Sequence, residues 1–424
     1  MTQLYLTQED LQLQKKIVYT LEQQGFVFDK QLKTMRPAEE SKEHYREIQR
    51  RAKLEQLQHL PSRRDFICRL YPTVMNYCRD GSDINPENIK LKLLEVKSGT
   101  KENDLFLWWN IVWWNMPYQQ AYGRQMRFML WDTTHDAPFG LFLLQSPVLL
   151  MAVRDKWLGL KYRRNDNEDD LTYLMNTSMY AQRAGALPPY NQLLGGKMVS
   201  VALTCNELRE MYRKKYDGKV TKMEERVIDP NLLFITTTSA FGKSSTYDRL
   251  KINGNEIVAQ SLGYTKGTGT FHIPNDIYRE MTRFLVNKNV MVKKDKNGKS
   301  ILANDYGDGP STKMKVITQA SKLLQLPKLT THTIKREFYL FPLVKNLMDV
   351  IHHDVQPDWV DRPFNMLVNY WKQRWAIPRA QRMPQWRGFK ASQIHEQLIN
   401  DIPQLADQLP KKSFENLLKY IVVT

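Results

Sequence analysis

The apolar positions of this chain change period along its length. Near the start they recur as on a helix. Thr7 stands where a cap belongs, with Asp10 three residues on; Leu11, Ile17, Val18 and Leu21 share one face, and Gly25 ends the pattern. A second helix is predicted over residues 37–60, stopping before Pro61. Its charges alternate in sign from Glu39 to Glu55, the mark of a solvated face with i,i+4 pairs. Helical pieces continue over residues 66–78 and 86–96, with a turn at Asp80 and Gly81 between them. Next comes a helical face bearing Trp108, Trp109, Trp113 and Trp114. Packing is the common role of such a cluster, and a base-stacking platform is the rarer one.

From residue 122 to 272 the period shortens to alternating runs separated by glycine turns. Strands are predicted over residues 125–132 and 138–144, paired as a hairpin, and over 175–183 and 232–239. Asn253 and Gly254 form a tight turn whose return strand is residues 256–264. Between these lie a short helix over 146–158 opened by Pro147, a charged loop over 163–170 and a helix over 197–216. Beyond residue 272 the pattern is mainly helical: residues 276–286, 312–326, 341–351, 364–375, 391–405 and 411–422, with a hairpin turn at Asn297 and Gly298. The predicted class is α+β, a mixed central sheet with N-terminal and C-terminal helical extensions. Three regions follow: helical 1–120, an α+β core over 121–311, and a basic helical 312–424.

Composition sharpens the partner more than the fold. With 42% apolar and 25% charged residues the chain is expected to fold rather than remain disordered. Its net charge of +17 favours a polyanion, nucleic acid before an anionic membrane. No apolar run is long enough to span a bilayer, and the acidic, polar N-terminus lacks the core of a signal peptide. Cys68, Cys78 and Cys205 are scattered without C-x-x-C spacing. Neither a zinc ribbon nor a disulfide framework is expected, and a reducing cytoplasm fits.

The cationic surplus is concentrated. Over residues 283–345 Lys and Arg outnumber Asp and Glu 13 to 4. The stretch WKQRWAIPRAQRMPQWRGFK, residues 371–390, carries Lys372, Arg374, Arg379, Arg382, Arg387 and Lys390 with no carboxylate. Trp371, Trp375 and Trp386 are interleaved among them. Lys and Arg neutralise phosphates and aromatic faces stack on unpaired bases. The candidate nucleic-acid contacts are therefore Lys372, Arg374, Trp375, Arg379, Arg382, Trp386 and Arg387, meeting in one basic groove beside the sheet.

Other motifs are weaker. FGKSS, residues 241–245, has Thr237 where a phosphate-binding loop needs glycine, so it reads as a turn. GYTKGTGT, residues 263–270, lacks dinucleotide order and also reads as a turn. QLLGGK, residues 192–197, sits between a strand and a helix, a context that suits an anion. It resembles the pyrophosphate loop of the acetyl-coenzyme A-dependent N-acetyltransferase fold, Q/R-x-x-G-x-G/A. Gln192 and Gly195 match, and Lys197 replaces the last small residue. The run from Asp349 to Asp354 holds His352 and His353, which point apart on a helix, and no metal site is expected there. Asp132, His135 and Asp136 crowd a turn, where turn chemistry accounts for them.

Seven phrases in order resemble the Druantia anti-phage defence protein DruA family: GRQMRFMLWD, RDKWLGL, TTSAFGKSSTYDRLK, LGYTKGTGTFHIP, YGDGPSTKMKVI, REFYLFPLVKN and WKQRWAIPRA. The resemblance implies a part in bacterial defence against phage, alongside other proteins of the same system including a helicase-like component. It also implies a central domain similar to the acetyltransferase fold. It assigns no catalytic residue and no cofactor. Ligand contacts within or beside these phrases are expected from Gln192, Gly195, Gly196, Lys197, Ser244, Ser245, Asp248 and Arg249, with Arg154, Asp155, Tyr247 and His272 as further candidates. Arg154 with Asp155, and Asp248 with Arg249, read equally as structural ion pairs. Against nucleic-acid binding, DNA by preference, stand three alternatives: an acyltransferase using the Gln192 loop; a magnesium-dependent nicking activity using Asp132, Asp155 or Asp248; and a scaffold whose basic face docks an acidic protein.

Overall fold

The computed structural model describes residues 5–29, 31, 33–160, 174–221, 225, 227–294, 300–302, 310–353 and 355–409. The expected charged loop at 163–170, the turn at Asn297 and Gly298, the helix at 411–422 and Asp354 lie outside them. The chain divides into two units: Met1–His59, Asn115–Tyr118 and Thr265–Arg336 form one, and Leu60–Trp114, Gln119–Tyr264 and Glu337–Thr424 the other.

The larger unit is α+β. Its seven-stranded sheet comprises β1 (Leu91–Glu95), β2 (Gln125–Asp132), β3 (Ala137–Gln145), β4 (Ser178–Ala186), β5 (Phe234–Thr238), β6 (Gln260–Tyr264) and β7 (Glu337–Pro342). The spatial order is β6-β7-β5-β4-β3-β2-β1. All neighbours are antiparallel except β4 and β5, which run parallel through Ser178↔Phe234, Met179↔Ile235 and Tyr180↔Thr236. Past Tyr180 and Thr236 the ladder between them stops.

Alternation fixes what each face buries. Ile235, Tyr339 and Phe341 enter one apolar cluster with Met198, Leu208 and Trp371. Phe234 and Leu340 enter another with Leu158, Leu347 and Val350. Trp108 and Trp109 are buried at 0% and 1% exposure, and the Trp108 indole donates to the Ile67 carbonyl. That cluster is packing.

Several predicted helices are corrected. Residues 86–96 hold only a 3-10 turn, Pro86–Asn88, and then β1, whose Leu91 and Leu93 point inward. The helix expected at 341–351 is shortened to Leu347–His353, because residues 341 and 342 end β7, a strand covered on both faces whose large apolar residues mimic a buried helix. The helix expected at 146–158 is reduced to Ala152–Trp157 because the buried Arg154 guanidinium takes the Val148 and Leu149 carbonyls, at 2.9 and 2.7 Å. The helix expected at 197–216 is two, Gly195–Ala202 and Asn206–Tyr216. Thr204 turns its hydroxyl onto the Val201 carbonyl between them. The return strand at 256–264 is divided: Glu256–Ile257 closes the small hairpin with Lys251–Ile252, while β6 joins the main sheet.

The smaller unit packs the helices Gln8–Gln24, Lys42–Gln58, Asn275–Asn287 and Pro310–Leu323 around Leu13, Ile17, Ile48, Met281, Phe284 and Ile317. The first helix opens with the anticipated capping box, in which Thr7 and Asp10 each take the other's backbone N–H. It ends at Gly25 in the left-handed region. The helix expected from residue 37 starts at Lys42, since Thr34–Pro37 pairs with Phe26–Asp29. The glycine loop after residue 265 is a turn: the Gly267 carbonyl accepts from His332 and Thr333 N–H, and a Cβ there would lie 2.5 Å from the Thr333 backbone.

Candidate functional site

The basic stretch begins as the helix Phe364–Trp371, widens into a π-turn over Lys372–Ala376 and resumes as Ile377–Arg382. The sequence explains the widening. Pro378 has no N–H to give, and its ring would collide with the Arg374 carbonyl in a regular helix. Trp371 anchors the segment: it is fully buried, its ring packs edge-on to Phe139 at 5.0 Å, and its indole N–H donates to the Leu194 carbonyl at 3.1 Å.

The anticipated contacts separate into two groups. Arg374, Arg382 and Arg387 are exposed. Among the described residues Arg374 and Arg382 have no hydrogen-bond or ion-pair partner. Lys372 is different: its ammonium donates to the Glu87 and Ile89 carbonyls at 2.6 and 3.1 Å. Trp386 is 2% exposed and offers no face to a base. Trp375 is half-buried, set edge-on to Tyr370 at 5.4 Å.

The structure joins this segment to the Gln192 loop. Arg379 Nε donates to the Gln192 carbonyl at 3.4 Å. Lys197 Nζ lies 5.4 Å from the centre of the Trp375 ring and 3.5 Å from the Ser245 carbonyl. Burial holds the Lys197 ammonium below the usual lysine pKa, and nearby Asp248 partly offsets this. A Cβ on Gly196 would meet Thr246 at 3.4 Å. Loop, turn and basic segment thus meet around Lys197, a junction of elements that the sequence kept apart.

Gly195 belongs to packing. A Cβ there would stand 2.6 Å from the Tyr190 carbonyl oxygen and 2.8 Å from Ala186 Cβ.

The turn at 241–245 is held by its own hydroxyls. Ser244 Oγ accepts from the Thr246 and Tyr247 N–H groups, and Ser239 Oγ donates to the Gly242 carbonyl. Ser245 is exposed. Asp248 pairs with Lys243 at 3.2 Å and, more loosely, with Arg249 at 3.9 Å; the Arg249 side chain is largely exposed. Beneath the turn Glu337 accepts from Ser261 Oγ at 2.6 Å and from the Tyr339 hydroxyl. Burial, and then the bond to Glu337, raise the Tyr339 pKa. The two side chains are two residues apart on one strand, which places them on one face, and no strand was expected over these residues.

The remaining candidates are structural in their contacts. Arg154 and Asp155 are a buried pair, 2.7 Å apart, and Asp155 also accepts the Met151 N–H. Asp132 is fully buried and accepts from Tyr190, His135, Thr134 and Lys90. His135 Nε2 takes the Asn85 N–H, so both ring nitrogens are occupied. Tyr247 is buried against Tyr339 and Phe341. His272 meets Gln49 at 3.0 Å, and His352 meets the Leu158 carbonyl. Among the described residues no group of three His, Cys, Asp or Glu side chains could hold a metal ion, and no helix is long and apolar enough to cross a membrane.

Comparison with known proteins supplies what the geometry does not. The family model described as Druantia protein DruA matches residues 39–353. The chain belongs to the DruA family. A Druantia protein DruA of Escherichia coli (strain UMEA 4076-1) is 31% identical over 339 residues, covering 79% of this chain and 80% of the relative. No solved structure matches. DruA membership makes the chain a component of a Druantia defence system, and the matched span includes the Gln192 loop, the Ser244 turn and β7 but ends before the basic segment.

Proposed function

We propose that this chain is the component of a Druantia anti-phage system that binds nucleic acid, DNA by preference, through its C-terminal basic segment. The observation that carries the reading is the acid-free run from Trp371 to Lys390, which leaves Arg374, Arg382 and Arg387 exposed, with Lys197 lying over Trp375 of the same run. Exposed guanidinium groups are suited to backbone phosphates, and an aromatic ring such as the half-buried Trp375 to an unpaired base. Lys372 and Trp386 then serve as struts. Other proteins of the system, including a helicase-like component, are its expected partners. The direct test is fluorescence anisotropy with short single- and double-stranded DNA across a salt series. Binding that weakens steeply with salt, and is lost in Arg374→Glu/Arg382→Glu/Arg387→Glu, supports the reading. Binding equally tight in that variant refutes it.

A second reading is acyl transfer. It is favoured by the strand order, with one short parallel pair at β4 and β5, and by the loop that leads from β4 into the Gly195–Ala202 helix. The order of hairpin, strand, loop and helix is what the resemblance to the N-acetyltransferase fold implies. The loop carbonyls of Gln192 and Leu194 are occupied by Arg379 and Trp371, so a coenzyme A pyrophosphate would have to share the site with the basic segment. Titration calorimetry with acetyl-coenzyme A decides it: no heat of binding removes the acyltransferase reading and leaves the first untouched.

A further inference from the structure

The cationic surplus over residues 283–345 falls almost wholly in the smaller unit and lies outside the C-terminal segment. From Thr265 to Arg336 the sequence carries 14 Lys and Arg against 5 Asp and Glu, more than half of the chain's net +17. Charge of one sign gathered this closely repels itself, and a polyanion relieves the repulsion.

The helix Asn275–Asn287 shows where the charge is left uncompensated. Ile277, Met281, Phe284 and Leu285 are buried in the core of the unit. Arg279 and Arg283 stand one turn apart on the opposite side. Both are exposed, and neither has a hydrogen-bond or ion-pair partner among the described residues. The helix has two acids of its own, Asp276 and Glu280, and Lys16 of the first helix takes both, at 3.3 and 2.5 Å. Neighbouring elements add more cations. Lys315 and Lys322 are exposed on the helix Pro310–Leu323, which packs against Asn275–Asn287. Lys293 and Lys294 are exposed on the strand Val292–Lys294, whose partner strand Ser300–Leu302 packs on the same helix. Neither that second helix nor the two strands contain an Asp or Glu.

The build of the surface selects the polyanion. A helix that binds a bilayer sinks its apolar face into the headgroups, and here that face is committed to the core. A single strand is held by bases stacked on aromatic rings. Beside the arginines Phe284 is buried, and the half-buried Tyr278 ring has the Lys313 ammonium 5.5 Å from its centre. What remains on offer is a pair of guanidinium groups about 6 Å apart along a helix axis. A duplex presents a charge about every 1.7 Å of its own axis, with no need for stacking. We propose that the smaller unit carries a second nucleic-acid surface, which grips the phosphate backbone of a duplex through Arg279 and Arg283. This surface uses no cation of the C-terminal segment and does not rest on that reading.

The test compares two charge-reversed full-length proteins, Arg279→Glu/Arg283→Glu and Arg374→Glu/Arg382→Glu/Arg387→Glu, by fluorescence anisotropy with a short DNA duplex and with oligothymidylate. Arg279→Glu/Arg283→Glu should bind the duplex at least about tenfold more weakly than the parent and bind oligothymidylate unchanged. Arg279→Gln and Arg283→Gln, which keep a good helix former and serve should the reversed protein not fold, should each lower the slope of log duplex affinity against log salt by about 0.9. Unchanged duplex binding in these variants, no duplex binding by the parent, or an equal loss on oligothymidylate overturns the proposal. So does a loss confined to poly-L-glutamate, which would mark the face as a site for an acidic protein. Duplex affinity lost in Arg279→Glu/Arg283→Glu and kept in the C-terminal variant supports this surface while removing the C-terminal one, and the converse removes this one alone.

Discussion

The Lys197 ammonium sits 5.4 Å above the Trp375 ring, tying the loop after β4 to the π-turn of the C-terminal segment. Burial disfavours the charge on Lys197, Asp248 partly offsets this, and the ring face attracts the ammonium. A double-mutant cycle of Lys197→Met and Trp375→Leu, followed by urea unfolding, should return a coupling of about 0.5–1 kcal/mol. A coupling indistinguishable from zero would mean the contact carries no energy.

Salt dependence counts phosphates. Taking away one cation that neutralises a phosphate should reduce the slope of log affinity against log salt by about 0.9 on duplex DNA. Arg374→Gln and Arg382→Gln are each expected to do so. Lys372→Met should leave the slope unchanged and lower stability by about 1 kcal/mol, because its ammonium serves two carbonyls.

Asp155 is predicted to be a structural residue. Asp155→Ala strands a buried guanidinium and releases the Met151 N–H, and should cost about 3–5 kcal/mol in chemical denaturation. A stable Asp155→Ala protein would reopen a ligand-binding role for the pair.

The two glycines of the loop differ in what surrounds them. Gly195→Ala drives a methyl into the Tyr190 carbonyl and should cost about 1–3 kcal/mol. Gly196→Ala meets Thr246 at an ordinary 3.4 Å and should change stability by less than about 1 kcal/mol. Equal costs would show that the Gly195 packing is not the constraint.

Asp10 gives a pH signature. Burial pushes its pKa up, but hydrogen bonds from Lys288 and Thr7 outweigh this and leave it below the ordinary 3.8. A carboxylate with a depressed folded pKa contributes stability in full above its unfolded value and loses it as pH falls through the folded one. Asp10→Asn should therefore cost about 1 kcal/mol at neutral pH. The difference from the parent should shrink below pH 3.8. A difference constant down to about pH 2 would contradict the assignment.

Local signals were legible where chemistry and period agreed. Thr7, Asp10 and Gly25 marked the first helix at both ends, and the β2–β3 hairpin was plain from alternation. β1 and β7 were not. β1 follows a proline turn within a helix-compatible pattern, and β7 is buried on both faces, so its apolar run has no period to read. The family was legible from phrases spread along the chain, because such phrases keep their order whatever they fold into. The junction at Lys197 was hidden for another reason. The bond from Trp371 to Leu194 spans 177 positions, and no local pattern encodes which distant segment will arrive. Burial was equally hidden: Trp375 and Trp386 look alike in sequence, yet only Trp375 reaches the surface.

The widened turn over Lys372–Ala376 acts as a phase shifter. A residue more or less in an α-helix rotates everything beyond it by about 100°. Deleting one residue from that turn would therefore swing Arg379 off the Gln192 carbonyl and aim Arg382 at a different quadrant, with every cation still present. For this arm the number of residues ahead of Pro378 matters as much as their identity.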